Sequence, residues 1–389
     1  MTHEKGLTRI TEGHARISLA EREARIVKAR RLMLEQGLAG ILLEPGPNLF
    51  YFTGIRWEIS ERPMVALIPA TGRLGLVCAR FEEPRLREKI LFDEEVRVWE
   101  EHESPTSVLA GLLGDRGIGP RPVGVEASIR YFVFDGIRRH SPRTNWTSAD
   151  SITVPCRRTK SAAEIALLQL AADVTIAALE TCASLLYEGM SEEEAMANSI
   201  KAHKALGADG GAMVQFGKAT AFPHGSEQPS CLKESDTALM DGGCTIDGYH
   251  SDITRTMVFG EPTKRQREIW FLERAAQAAA FGAASIGAPI EKLDAAAREV
   301  IVAAGLGPGY EVPGLPHRTG HGIGLEEHEH PYVVRGNQLP LAPGMCFSNE
   351  PMIVLPGEFG VRLEDCIYMT AEGPRYFTPP SVSLDSPFS

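Results

Sequence analysis

Four carboxylates sit inside apolar, strand-like runs of the C-terminal half, and no other feature limits the possible folds as much. They are Asp241, Asp252, Glu350 and Glu364. Acidic side chains are rarely buried unless they are paired or bound to metal, so a fold that buries these runs has to gather the acids around positive charge. Asp241 and Asp252 flank Asp247-Gly248, a strong hairpin-turn signal. With that dipeptide at the turn, Asp241 pairs with Thr254 and Asp252 with Gly243. The two aspartates then share one face as diagonal neighbours, roughly 7–8 Å apart at Cα. Glu350 and Glu364 flank a second turn, Pro356-Gly357-Glu358, and a loop centred on Gly357 sets them directly opposite one another. A solvated hairpin would explain the first pair alone. A neighbour pair of Glu364 with Arg362 would explain part of the second, but it leaves Glu350 without a partner.

A histidine-rich segment lies between the two acid pairs. Four of the 11 histidines, His317, His321, His328 and His330, fall in His317–Pro331 among Gly320, Gly322 and Gly324. Any one histidine is more often a satisfied core or surface group than a ligand, but four in one glycine-rich stretch, where backbone can pass close to a site, point to a site. Four carboxylates converging in a core repel one another by several kcal/mol, on the order expected for close like charges. Two divalent cations would reverse that cost. One imidazole with four carboxylates is an oxygen-rich, fairly hard set that suits manganese, cobalt(II), iron(II) or zinc. Two such ions roughly 3.5–4 Å apart support hydrolysis.

The chain has 389 residues, enough for more than one domain. Residues 1–21 are expected as a leader, residues 22–157 as an N-terminal α/β domain, and residues 158–389 as the catalytic domain. In the first domain a charged amphipathic helix over residues 20–37 precedes short strands at Gly40–Leu43, Leu49–Thr53, Met64–Pro69, Arg73–Cys78, Val96–Trp99 and Pro122–Val125. In the second, Ser161 with Glu164 and Ser191 with Glu194 read as two capping boxes that open helices. Further helices are expected near Thr263–Ile286 and Glu291–Ala304.

The net charge of −11 argues against nucleic acid or an anionic membrane as partner. Seven widely spaced cysteines without a CxxC argue against a disulfide framework and against a cysteine zinc site. The N-terminus has no apolar core of signal-peptide length, so the cytoplasm is the expected compartment.

At these residues the sequence resembles the creatinase/aminopeptidase P/prolidase metallopeptidases, the "pita-bread" enzymes. Their ligand order, Asp, Asp, His, Glu, Glu, matches Asp241, Asp252, His321, Glu350 and Glu364. Ser251-Asp252-Ile-Thr-Arg-Thr256, Gly320-His321-Gly-Ile-Gly-Leu325, Asn349-Glu350-Pro351 and Arg362-Leu-Glu364-Asp365 fit as well. Asn48-Leu-Phe-Tyr-Phe-Thr-Gly54 extends the likeness into the first domain and Arg158-Thr-Lys-Ser161 with Glu164 resembles the family's domain junction, so that it covers about residues 22 to 376. The resemblance implies a creatinase/prolidase-like N-terminal domain and a pita-bread catalytic domain with two divalent ions, manganese or cobalt before zinc or iron. It gives His224 the role of steadying the oxyanion, Glu350 a proton-shuttle role beside its ligand role, and His317 and His328 places in the substrate pocket. Arg362 supports the metal carboxylates. The implied assembly is a homodimer, with Trp57 a candidate to reach the partner's pocket. Two departures, Pro351-Met352 and His317-Arg318, bear on pocket shape rather than on a ligand.

Among these enzymes the segment Glu327–Gly336 looks most like bacterial Xaa-Pro dipeptidases. The expected reaction is hydrolysis of Xaa-Pro dipeptides, with Arg335 a candidate for the proline carboxylate because a guanidinium fork matches a carboxylate. Aminopeptidase P, acting on longer Xaa-Pro peptides, is the nearest alternative. A lyase or a non-catalytic binding module on the same fold is a remote one.

Overall fold

The computed structural model describes residues 7–118 and 121–388. Two compact units separate in it: Ile17–Arg157, and Arg158–Ser389 together with the N-terminal residues up to Arg16.

The first unit is built on a six-stranded mixed sheet. Its order is Glu95–Trp99, Gly75–Ala79, Val65–Pro69, Gly40–Leu43, Val123–Val125, Trp146–Ser148. The helix Leu19–Glu35 starts at Ser18, whose hydroxyl accepts from the Glu21 N–H. One expected strand is instead a helix, Pro47–Thr53. Pro47 takes the first turn, where its missing N–H costs nothing, and Gly54 closes the helix at φ 77. The run Leu49–Thr53 is wholly buried, and a short apolar run buried on all sides has no periodicity to distinguish strand from helix.

In the second unit, residues 7–16 are held against the end of the helix Glu192–Leu206. The Ile10 N–H donates to the Leu206 carbonyl at 3.1 Å, and the Thr11 hydroxyl donates to the Gly207 carbonyl at 3.0 Å. The capping box at Ser161 and Glu164 forms as expected and opens the helix Ala162–Ser184. This helix is long and apolar enough to cross a membrane by length and composition. Here its apolar face instead packs on the strand Thr237–Ile246 and the helix Glu192–Leu206. The second box forms only in half. Ser191 caps the Glu194 N–H, but the Glu194 carboxylate accepts from the Tyr187 hydroxyl at 2.8 Å instead of turning back.

Two antiparallel systems carry the acids. Asp209–Phe216, Thr237–Ile246 and Ile253–Val258 form one sheet, in which Asp241 pairs with Thr254 across the turn Asp247-Gly248. Both turn residues have positive φ, 49 and 88, as the tight hairpin requires. In the second system Met352 pairs with Arg362, and Asn349 with Asp365. Both pairings follow the register that sets Glu350 opposite Glu364. The two systems meet where the Glu364 N–H donates to the Thr254 carbonyl at 3.1 Å. The Thr256 hydroxyl donates to the Arg362 carbonyl at 2.7 Å and accepts from the Arg362 N–H at 3.2 Å.

The helices Lys264–Ala283 and Glu291–Ala303 back this junction with a core that includes Trp270, Leu293, Phe347, Leu363 and Ile367. A polar seam crosses the same core. Arg255 and Asp365 form an ion pair at 2.7 Å with both side chains fully buried, and Asp365 also accepts from Gln277 and Thr378. Removing one partner strands a buried charge, so Asp365→Ala is expected to cost about 3–5 kcal/mol of unfolding free energy. Replacing both, as in Arg255→Met with Asp365→Leu, should recover most of it. Urea unfolding of the three proteins tests this, and an Asp365→Ala midpoint equal to that of the unaltered chain would contradict it.

Candidate metal centre and active site

Asp241, Asp252, His321, Glu350 and Glu364 come together at the junction of the two strand systems. Ligand atoms of Asp241, Asp252 and Glu364 lie within 4.8 Å of one another, as do those of His321, Glu350 and Glu364. The two triads share Glu364. His321 Nε2 is 3.0 Å from Glu350 Oε1 and 3.5 Å from Asp252 Oδ2. Its Nδ1 lies 3.2 Å from the Gly322 carbonyl, which can only accept, so the proton belongs on Nδ1 and Nε2 faces the acids. Gly320 makes this approach possible, because a Cβ there would collide with the Ser348 carbonyl.

The residues fit divalent cations on two observations. Glu364 Oε1 is buried with no hydrogen-bond partner among the described residues. Thr254 Oγ1 lies 2.6 Å from Asp241 Oδ1 and 2.8 Å from Glu364 Oε2, yet a hydroxyl has one hydrogen to give. The cluster is therefore short of positive charge. Protonation equilibria show the same shortage. Burial, with the charge of Asp241 adding, pushes the Asp252 carboxyl up to about 7. Burial and the neighbouring acids hold Glu364 well above the usual carboxylate range. Burial would raise Glu350 as well, but its hydrogen bond to His321 draws it down to about 2. Burial works against a charged His321, and its contacts with Asp252 and Glu350 still hold it well above the usual imidazole range. In the absence of metal, the acids around it favour the protonated form of His321.

Arg362 does not pair with Glu364 but with Asp241, and its Nε donates to the Thr254 hydroxyl at 3.1 Å. The same guanidinium reaches the Pro223 carbonyl at 3.3 Å. Gln215 Nε2 donates to the Ala219 and Phe222 carbonyls. These bonds fix the backbone that leads into His224, which lines a cavity of about 400 Å³ with Asp241 and Asp252. His328 is exposed, and its ring lies 3.9 Å from that of His321. His317 donates from Nδ1 to the Arg318 carbonyl at 2.7 Å. Its Nε2 is buried with no partner among the described residues, and it feels the charge of Glu350.

One expected residue stands elsewhere. Arg335 is exposed on the turn after Glu329–Val333 and lines a different cavity, with Glu291, Asp294 and Arg298. Trp57 belongs to the first unit, where the guanidinium of Arg85 lies over its ring at 5.0 Å.

Several residues of the site are not apparent from sequence motifs. Thr254 is one, although its register opposite Asp241 already put a hydroxyl beside an acid. Ser348 accepts from the His321 N–H and donates to Glu350 at 3.1 Å. Gln277 donates to the Asn349 and Leu363 carbonyls, the residues next to Glu350 and Glu364. Asp294 accepts from Thr319, and Arg298 donates to the His317 carbonyl, so one helix sets the entry to the histidine segment. His250, which no sequence signal distinguishes from an ordinary histidine, lines the cavity with Asp252.

Two hairpins that bring four acids and a histidine together beside a cavity make a site suited to metal-dependent hydrolysis. The chain belongs to metallopeptidase family M24: the family model matches residues 166–371, and that of the Creatinase/Prolidase N-terminal domain matches residues 25–159. Members of this family are dinuclear metal-dependent peptidases. The "Probable dipeptidase PepE" of Mycobacterium tuberculosis is 34% identical over 358 residues, covering 89% of this chain and 93% of that protein. The crystal structure of dipeptidase PepE from Mycobacterium ulcerans superposes with a TM-score of 0.86 at 32% identity, covering 94% of this chain and 97% of that one. Recombinant prolidase from Thermococcus sibiricus gives a TM-score of 0.85 at 29% identity, with coverages of 94% and 98%. The chain is thus a metallopeptidase with dipeptidase-like and prolidase-like relatives.

Proposed function

We propose that this metallopeptidase hydrolyses the bond before proline in Xaa-Pro dipeptides. The observation that carries the reading is the set of five ligands beside a compact cavity, on a fold shared with a prolidase along nearly its whole length. A cavity of this size suits a small peptide. Asp241, Asp252, His321, Glu350 and Glu364 would hold two divalent ions, manganese or cobalt before zinc or iron(II), which when bound activate water and polarise the scissile carbonyl. His224 donates a hydrogen bond to the carbonyl oxygen as it becomes an oxyanion. Glu350 takes the proton of the attacking water on its carboxylate and delivers it to the leaving nitrogen. Arg362 pairs with Asp241 and holds its carboxylate in place. His317 and His328 bound the side that receives proline. We further place the enzyme in the cytoplasm, which accords with its seven free thiols. We take it to be a homodimer in which Trp57 contacts the partner's pocket.

The position of Arg335 favours a second reading. With Arg335 outside the site cavity, recognition of a free proline carboxylate falls to His317, His328 and Arg318, whose charge is felt at His328. If these do not hold it, the enzyme is an Xaa-Pro aminopeptidase on longer chains. Steady-state kinetics on Ala-Pro, Ala-Pro-amide and Ala-Pro-Ala distinguish the two. The dipeptidase reading expects Ala-Pro to be cleaved fastest, and equal or faster turnover of Ala-Pro-Ala replaces it with the aminopeptidase.

Acid should weaken metal binding before it harms the fold. In the metal-free protein burial pushes the Asp252 carboxyl up to about 7, and Glu364 and His321 are likewise held above their usual ranges. Cations must expel their protons, so affinity falls as pH drops through about 7, and activity follows below about pH 6. Competition of manganese against a chelator between about pH 8 and about pH 5 measures this. A constant affinity across that range would contradict it.

A further inference from the structure

We propose that Asp209 and Glu327 make the active-site cavity select dipeptides whose first residue carries a cationic side chain. This inference rests on the Xaa-Pro dipeptidase reading. Asp209, Asp241, Asp252 and Glu327 all line the cavity of about 400 Å³ that contains His224, and among the described residues no lysine or arginine does. The charges of Asp241 and Asp252 are engaged within the cluster, by Arg362 and by His321. Asp209 and Glu327 are different. Both are exposed, and neither carboxylate has an ion pair or hydrogen bond among the described residues.

Asp209 begins the strand Asp209–Phe216. The period of two puts it on the same face as Gly211 and Met213, which also line the cavity. Glu327 comes from the histidine segment, and its charge is felt at Asp252, His250 and His328. Two separate elements therefore bring uncompensated negative charge to one cavity. The walls include Gly211 and the unbranched Met213, and a volume of about 400 Å³ leaves room for a long side chain.

Electrostatics also sets which end of the substrate enters. A dipeptide carries its α-ammonium group on the first residue and its carboxylate on the second. The carboxylate is repelled by this cavity and goes to the side of His317 and Arg318. The first residue, with its ammonium group and side chain, goes into the acidic cavity. A lysine or arginine side chain there gains attraction to both acids, a neutral chain gains none, and a glutamate is repelled. The acids are solvent-exposed, so each acts with the modest strength of a surface pair and weakens with salt.

The test is kcat/KM for Lys-Pro, norleucine-Pro and Glu-Pro with the manganese-loaded enzyme. Norleucine is close to lysine in shape without the charge. The expected preference of Lys-Pro over Glu-Pro is about tenfold or more, with norleucine-Pro between them. That ratio should shrink several-fold in Glu327→Gln and in Asp209→Asn, and in about 0.5 M salt. Each variant is its own reference, because only the ratio is compared. A ratio near one in the unaltered enzyme, or one unchanged by both substitutions, overturns the inference while leaving the Xaa-Pro reading intact. If the three proline dipeptides resist and Lys-Ala is cleaved, the proline reading fails instead. The charge comparison is then made on Lys-Ala, norleucine-Ala and Glu-Ala, with the same two outcomes. Hydrolysis of none of the six overturns both.

Discussion

Asp252→Asn is expected to lose at least one cation per chain and to lower hydrolysis by at least about 100-fold, since an amide is a neutral and weaker ligand than a carboxylate. Asp252 faces both halves of the cluster: it shares a ligand triad with Asp241 and Glu364, and it lies 3.5 Å from His321. The substitution keeps the shape of the side chain, so packing around it should be preserved. Its effect on stability should change sign with metal. Without cations Asp252 is a buried acid pushed up to about 7, and a neutral amide in its place relieves repulsion from Asp241. The metal-free variant is therefore expected to unfold no more easily than the metal-free parent. With manganese present the parent should gain stability by binding, and the variant should gain less. Elemental analysis and thermal unfolding with and without manganese read both effects. Full occupancy with full activity in Asp252→Asn would remove Asp252 from the ligand set.

His224→Ala is the second large effect. Removing one oxyanion donor typically costs roughly 10²–10³-fold in kcat, and KM should move much less because the interaction strengthens only in the transition state. The side chain can be removed without displacing its loop. Gln215 holds the Phe222 carbonyl and Arg362 holds the Pro223 carbonyl, both through backbone atoms. Metal content should consequently stay at the parental value. A variant with parental kcat would make His224 a wall of the cavity and nothing more.

The site was legible in the sequence to the extent that local chemistry controls geometry. Asp247-Gly248 admits positive φ at both positions, and that alone sets the register bringing Asp241 opposite Thr254. The loop at Pro356-Gly357-Glu358 does the same for Glu350 and Glu364. Once two hairpins carry two acids each in apolar strands, their meeting follows from the cost of burying charge. Contacts set by tertiary packing were not legible. Gln277 sits on a helix far along the chain from the carbonyls of Asn349 and Leu363, and nothing in its own segment marks it as their donor. Arg335 shows the converse. Seven residues after His328 it looks well placed, but the chain turns at Val334–Gly336 and carries it to another cavity. Leu49–Thr53 failed for a third reason, since complete burial erases the periodicity from which secondary structure is read.

The central claim is that five side chains gather two cations to perform one hydrolysis. Its most direct test is a titration of the metal-free protein with manganese while Ala-Pro cleavage is followed. The account predicts that activity rises to saturation at two equivalents per chain, and that Glu364→Gln, which alters the ligand common to both triads, abolishes the rise. Saturation at one equivalent, or Ala-Pro hydrolysis that needs no added metal and survives a chelator, would contradict it.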